Sequence, residues 1–265
     1  MYMERITKAV ERARLNQDQT TERTPFAAAP VRQADQKVRT VSVAHEVLAE
    51  NRIITGDYND KHSHAYKVLR TRVWQQMRSN GWTSLAVTSA NPGEGKTLTA
   101  VNLAISLSKM EIGRTVLLVD LDMRRPRIHH YFGFWPEHGV NEYLQGGIPL
   151  EEIIVDPGIG DMLLLPGNVP VANSSEILSS PRMPRLLHEI KVRFPSRLVI
   201  FDMPPVLATD DVLVLAPSID AILLVIEEGK SKADDIRRTA ELLKDAKLLG
   251  TVLNKSEEST QVYGY

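Results

Sequence analysis

A chain of 265 residues with a formal net charge of −1 can hold one large α/β domain with a sizeable core, and its charge balance excludes binding to nucleic acid or acidic lipid by bulk electrostatics. It has no cysteine, which excludes a disulfide framework and thiol chemistry and fits a reducing compartment. No apolar run reaches the ~20 residues that cross a bilayer. The longest, near 212–226, is cut by Pro217 and Asp220, and Glu4, Arg5 and Lys8 stand where a signal peptide needs an apolar stretch, so the expected location is cytoplasmic.

In chain order, residues 3–15 place Met3, Ile6, Val10 and Ala13 on one face of an amphipathic helix, which gives a first segment at 1–15. Residues 16–58, rich in Gln, Thr, Arg, Ala and Pro, read as a linker. The compact domain is expected over 59–255, and 256–265 reads as a polar, mobile tail. Ala65, Leu69, Val73 and Met77 line one side of a helix over 64–77, followed by a strand at 84–88. A helix over 96–110 turns Leu98, Val101 and Ile105 inward, and a strand covers 115–119. Further apolar runs at 162–165, 198–201, 221–226 and 248–253 alternate with helical patterns, one of which starts at Ser231 as N-cap and runs through Ile236, Ala240 and Leu243. Nearly continuous apolar strands separated by helices predict an α/β fold with a mostly parallel sheet flanked by helices on both faces.

Three strand ends carry the chemistry. After the strand at 84–88 comes Ser89-Ala90-Asn91-Pro92-Gly93-Glu94-Gly95-Lys96-Thr97, a phosphate-binding loop of the P-loop kind running into a helix at Leu98. Gly93 and Gly95 let the backbone turn its N–H groups onto phosphate oxygens, Lys96 reaches the β- and γ-phosphates, and the Thr97 hydroxyl is placed to ligand Mg²⁺. Ala90 stands where the common motif GxxxxGKS/T begins with Gly. Asp120 and Asp122 follow the second strand, and Asp202, ahead of Met203-Pro204-Pro205, follows the third. Ligands of parallel sheets bind at such ends, and this acidic cluster beside Lys96 makes sense when Mg²⁺ neutralises it. Asp210 and Asp211 read as helix-capping residues.

These motifs resemble those of the bacterial tyrosine kinases, which use a P-loop NTPase fold. The first motif is similar to 89–97, the second to Asp120-Leu121-Asp122-Met123-Arg124, and the third to Asp202-Met203-Pro204-Pro205. Asn173-Ser174-Ser175-Glu176-Ile177-Leu178 is similar to the family's Asn-Pro-Ser-Glu-Leu-Leu segment, with Ser174 in place of Pro. The resemblance covers roughly 60 to 265, and the 3–15 helix resembles that of cytoplasmic autokinases from polysaccharide-export and exosortase-associated loci. It implies an ATP- and Mg²⁺-dependent protein-tyrosine kinase. Asn91 to Leu98, Arg124 and, at the adenine, Asn254 would hold ATP, and Thr97, Asp120 and Asp202 would hold Mg²⁺. Lys96, Asp120, Asp122 and Asp202 would be catalytic, one carboxylate taking the proton of the attacking tyrosine; spacing does not say whether that is Asp120 or Asp122.

Tyr263 and Tyr265 close the chain, and the resemblance makes them phosphoacceptors for a neighbouring copy. It further implies regulation of exopolysaccharide synthesis and export, a transmembrane polysaccharide co-polymerase as activator, a homo-oligomer formed through the tail, a tyrosine phosphatase, and a position peripheral to the inner membrane through the activator. The family's ring-forming Glu-x-x-Arg-x-x-Arg motif is altered here to His64, Lys67 and Arg70. Two other readings compete. A partitioning-type ATPase would carry a second lysine early in the loop, where this chain has Asn91, and could use Arg124-Arg125-Pro126-Arg127 with His129 and His130 on DNA. An ATP-binding scaffold of an export complex would need none of the acidic residues. The expectation is therefore a kinase that does not bind nucleic acid.

Overall fold

The strands follow from runs of β-branched and aliphatic residues that are apolar at every position, so each can be buried on both faces. The computed structural model describes residues 38–54, 61–110, 115–194 and 197–256. Its strands are β1 (Arg39–Thr40), β2 (Ser84–Ser89), β3 (Val116–Asp120), β4 (Val155–Asp156), β5 (Met162–Leu165), β6 (Leu198–Asp202), β7 (Ala221–Glu227) and β8 (Leu248–Asn254). They form one eight-stranded sheet in the order β1-β4-β5-β3-β6-β2-β7-β8. β4 runs antiparallel to β5, and the other pairings are parallel.

Side-chain alternation splits the core in two. Leu85, Val87, Leu118, Ile200 and Leu223 face one side, where they meet the helix Lys96–Ser108 and, beyond it, Val73 and Met77 of the helix Lys61–Asn80. Ala86, Leu117, Val119, Phe201 and Ile222 face the other, against Val140, Leu144, Leu186, Ile190 and Val212. The doubly covered, mostly parallel α/β sheet is therefore the predicted one. The helix Lys96–Ser108 is buried nearly all round, which anchors the residues at its N-terminus.

Several boundaries differ from the sequence reading. Residues 38–54 are not a linker: β1 pairs with β4, and the helix His45–Glu50 buries Leu48. Ile53 and Ile54 are buried too, while the Asn102 side chain accepts the Ile54 N–H at 2.9 Å and donates to the Arg52 carbonyl at 3.1 Å. Ser231 caps no helix; that helix spans Ala233–Leu242 with Lys232 at its N-cap position. Ala65 is exposed rather than inward-facing. The helix expected at 3–15 and the tail with Tyr263 and Tyr265 lie outside the described residues. Among the described residues, no helix is long and apolar enough to cross a membrane.

Candidate functional site

Strand register brings the acidic residues together. Asp120 and Asp202 are register partners at the ends of β3 and β6, and Asp202 also pairs with Val87 of β2, just before the loop. All three strands run the same way, so their C-terminal ends deliver Asp120, Asp202 and the loop to one edge.

Lys96 is the centre of this edge. Its Nζ lies 2.7 Å from Asp122 Oδ2 and 3.2 Å from Asp202 Oδ1, and 3.2 Å from the Thr97 hydroxyl. Burial works against the Lys96 charge, but Asp202 and Asp122, with a smaller contribution from Asp120, outweigh it and hold the ammonium above its usual range. Asp120 Oδ2 accepts the backbone N–H groups of Arg127 at 2.9 Å and Ile128 at 3.0 Å. Burial, reinforced by the Asp202 charge, nevertheless pushes the Asp120 carboxyl up to about 8. Burial also raises Asp202, with Lys96 opposing the rise. Asp120 Oδ1 and Asp202 Oδ2 are buried without a hydrogen-bond partner. Two orphaned carboxylate oxygens beside a buried Thr97 are the donor set of a hard divalent cation, so the residues fit Mg²⁺. Among the described residues no three acidic or His side chains enclose a metal by themselves, so a bound cation would draw on phosphate and water as well.

The loop is held by side chains for which sequence reasoning indicated other roles or none. Gly95 has φ +93°, and a Cβ there would stand 2.0 Å from Asn254 Nδ2. Glu94 is buried, and its carboxylate accepts the Asn91 N–H at 3.0 Å and the Ser231 hydroxyl. Ser231 Oγ in turn accepts the Glu227 N–H at 2.8 Å, which explains why this serine is not a helix cap. Lys255 Nζ donates to the Gly93 carbonyl at 2.8 Å and pairs with Glu227. The half-buried Tyr131 lies close enough to Asp202 and Lys96 for their charges to act on its hydroxyl, whose pKa burial raises. A serine four residues after a strand, or a tyrosine on a short helix, gives no sequence signal for such roles.

Four residues expected at the nucleotide have protein partners in this structure. The Asn254 amide donates to the Glu94 carbonyl at 2.9 Å and so secures the loop. The Asn91 amide donates to Asp235 at 3.0 Å. Leu98 packs its side chain on the core, leaving its backbone alone for a phosphate. Arg124 Nε donates to Ser174 Oγ at 2.9 Å, not to a carboxylate beside Lys96. Pro92 and Gly93 are exposed at the loop tip, and Gly95 is half-buried. Asp211 is not a capping residue either: its carboxyl is fully buried near Ser174 and Arg124. Of the altered ring motif, Arg70 is turned inward, Nη1 donating to the Ser106 carbonyl at 2.9 Å.

Known proteins place this geometry. A model described as an AAA domain matches residues 83–255. Tyrosine-protein kinase YwqD of Bacillus subtilis is 32% identical over 222 residues, covering 82% of this chain and 92% of that protein. Tyrosine-protein kinase Etk of Escherichia coli is 34% identical over 72% of this chain, which spans only about a quarter of Etk's length (26%). The kinase domain of Escherichia coli tyrosine kinase ETK superposes with a TM-score of 0.70 at 30% identity, covering 89% of each chain. The cell-division ATPase MinD of Pyrococcus furiosus shares the fold more distantly, with a TM-score of 0.55 at 26% identity over 66% of this chain and 73% of that one. The chain belongs to the bacterial tyrosine kinase family of P-loop proteins.

Proposed function

We propose that this protein is an ATP- and Mg²⁺-dependent protein-tyrosine autokinase that phosphorylates Tyr263 and Tyr265 of a neighbouring copy. The observation that carries the reading is the Lys96–Asp122 pair: a phosphate-binding lysine already in contact with a carboxylate that can serve as base. When ATP binds, Lys96 would transfer its contacts from Asp122 to phosphate oxygens, leaving Asp122 unpaired where the γ-phosphate arrives. Asp122 is the better base of the two candidates, because Asp120 is fully buried and fixed by two backbone N–H groups.

A tyrosine hydroxyl ionises near pH 10, so a carboxylate accepting its proton assists attack at neutral pH. The phenol oxygen attacks the γ-phosphorus, the bond to the bridging oxygen breaks, ADP leaves, and the proton ends on Asp122. Asp120, Asp202 and Thr97 would hold Mg²⁺, which neutralises phosphate charge. The 91–98 loop would wrap the phosphates through the backbone N–H groups of Gly93 to Leu98, and Glu94, Asn254 and Ser231 would keep that loop in shape, Glu94 by accepting the Asn91 N–H. Nothing then requires the 91 side chain to reach across a dimer, as a partitioning ATPase would; it is tied to Asp235 instead.

Phosphorylation would add about −1.5 to −2 charges per tyrosine and drive the tail away from the acidic cluster. We connect this cycle to exopolysaccharide synthesis and export, with a transmembrane co-polymerase as activator and a tyrosine phosphatase as the reversing enzyme. The protein would work in the cytoplasm at the inner membrane, and the 3–15 segment is the proposed dock for the activator. The test is mass spectrometry of the C-terminal peptide after incubation with Mg-ATP. Phosphate on Tyr263 or Tyr265, absent in Lys96→Met, supports the kinase. An unmodified tail together with DNA-stimulated ATP hydrolysis would support the partitioning reading.

A further inference from the structure

Arg124 stands two residues beyond Asp122, on an exposed stretch with Arg125 and Arg127. Its Nε donates to Ser174 Oγ at 2.9 Å. Ser174 is completely buried, and so is Asp211, at the start of the helix Asp211–Leu215. Neither carboxylate oxygen of Asp211 has a well-formed hydrogen bond. Burial raises its pKa, offset in part by the nearby Ser174 hydroxyl and then by the Arg124 charge, while Asp122 adds repulsion. A buried carboxylate without a good hydrogen bond is costly, so its place beside an arginine calls for a reason. The backbone reinforces the arrangement: the Val171 N–H donates to the Met123 carbonyl at 2.8 Å, tying the Arg124 loop to the segment before Ser174.

With Nε occupied, the guanidinium is fixed in direction while its terminal nitrogens remain for a ligand. The tail segment Ser256-Glu257-Glu258-Ser259-Thr260-Gln261-Val262-Tyr263-Gly264-Tyr265 places two carboxylates shortly before the first tyrosine. We propose that Ser174 and Asp211 are positioning residues that aim Arg124 at an acidic stretch of the acceptor segment, so that the site selects tyrosines preceded by carboxylates. This rests on the kinase reading above. Arg124 would then serve the acceptor rather than ATP, and Ser174 would act solely through Arg124.

The test uses the full-length protein, Mg-ATP and two peptides: the 256–265 sequence and its counterpart with Gln for Glu257 and Glu258. An exposed arginine–carboxylate contact of about 1 kcal/mol corresponds to roughly a fivefold lower KM for the acidic peptide with unchanged kcat. In Ser174→Ala that preference should fall to about one, while KM for ATP and kcat on the Gln peptide stay as in the parent. Ser174→Thr, which keeps the hydroxyl, should restore it. The Arg124 Nε–Hε NMR signal should be protected from exchange in the parent and lose protection in Ser174→Ala, a readout independent of catalysis. A preference for the acidic peptide that survives Ser174→Ala, a rise in KM for ATP instead, or an unprotected Arg124 signal in the parent would overturn the proposal. Absence of phosphate on both peptides in the parent protein would overturn the kinase reading itself.

Discussion

Lys96 and Asp122 form a buried ion pair, Nζ to Oδ2 2.7 Å, at the point where a γ-phosphate would be handed to an acceptor. The pair offsets the repulsion among Asp120, Asp122 and Asp202 and keeps the loop lysine charged. Removing one partner of such a pair leaves uncompensated charge behind, at a typical cost of about 3–5 kcal/mol. Lys96→Met should therefore lose kinase activity by at least about a hundredfold and also melt earlier at neutral pH. The stability loss should grow as pH rises through about 8, where the buried Asp120 carboxyl gives up its proton. Thermal melts at several pH values check this; a variant with parental stability at pH 7 would contradict it.

Gly95 and Asn254 are coupled in a way that can be measured. Gly95→Ala puts a methyl group 2.0 Å from Asn254 Nδ2 and forces an L-residue to φ +93°. It should cost about 1–3 kcal/mol and weaken ATP binding more than tenfold. Adding Asn254→Gly removes the clash but not the backbone strain, so the double variant should recover part of the loss. Calorimetric titration with ATP gives the cycle; full additivity of the two changes would argue against contact.

His129 predicts a specific acid sensitivity. It is buried against the His130 and Trp135 rings, 4.3 and 5.1 Å between centroids, with neither ring nitrogen well hydrogen-bonded. Burial, with the His130 charge, lowers its pKa from 6.5 to about 4. Between these values the unfolded chain binds the proton and the folded one does not, so stability falls as pH drops through that window. The full effect amounts to up to about 3 kcal/mol, present above pH ~6.5 and lost towards pH 4. Urea midpoints for parent and His129→Gln should converge as pH falls from 7 to 4; a parallel offset would contradict the assignment.

The segment 38–54 belongs to the folded domain, so truncating a core contact there should register as a domain-wide loss. Leu48→Ala should destabilise global unfolding by about 2–4 kcal/mol. A midpoint equal to the parent's in chemical denaturation would restore the linker reading.

How far the sequence carried depends on what each feature needs. The central strands were legible because burial on both faces requires unbroken apolar runs, and Asp120 and Asp202 because they end such runs. β1 and the helix His45–Glu50 were not, being too short, at two and six residues, for any periodicity to stand out. Lys96, Thr97 and the three carboxylates converge as expected, since one loop and strand direction fix them. The bonds of Glu94 with Ser231, and of Arg124 with Ser174, cross between segments distant in sequence and depend on side-chain directions that no spacing encodes. Asp211 shows the same limit: it opens a helix, yet its carboxyl turns towards Arg124 rather than capping a backbone N–H.

The central claim is that phosphate passes to a tyrosine on another copy. The most direct measurement mixes two purified proteins with Mg-ATP: Lys96→Met with its tail intact, and a Tyr263→Phe/Tyr265→Phe protein with its site intact. Phosphate should appear on Tyr263 or Tyr265 of the Lys96→Met chain and rise with the concentration of the other. An unmodified Lys96→Met tail, when the parent alone phosphorylates its own, would contradict transfer between copies.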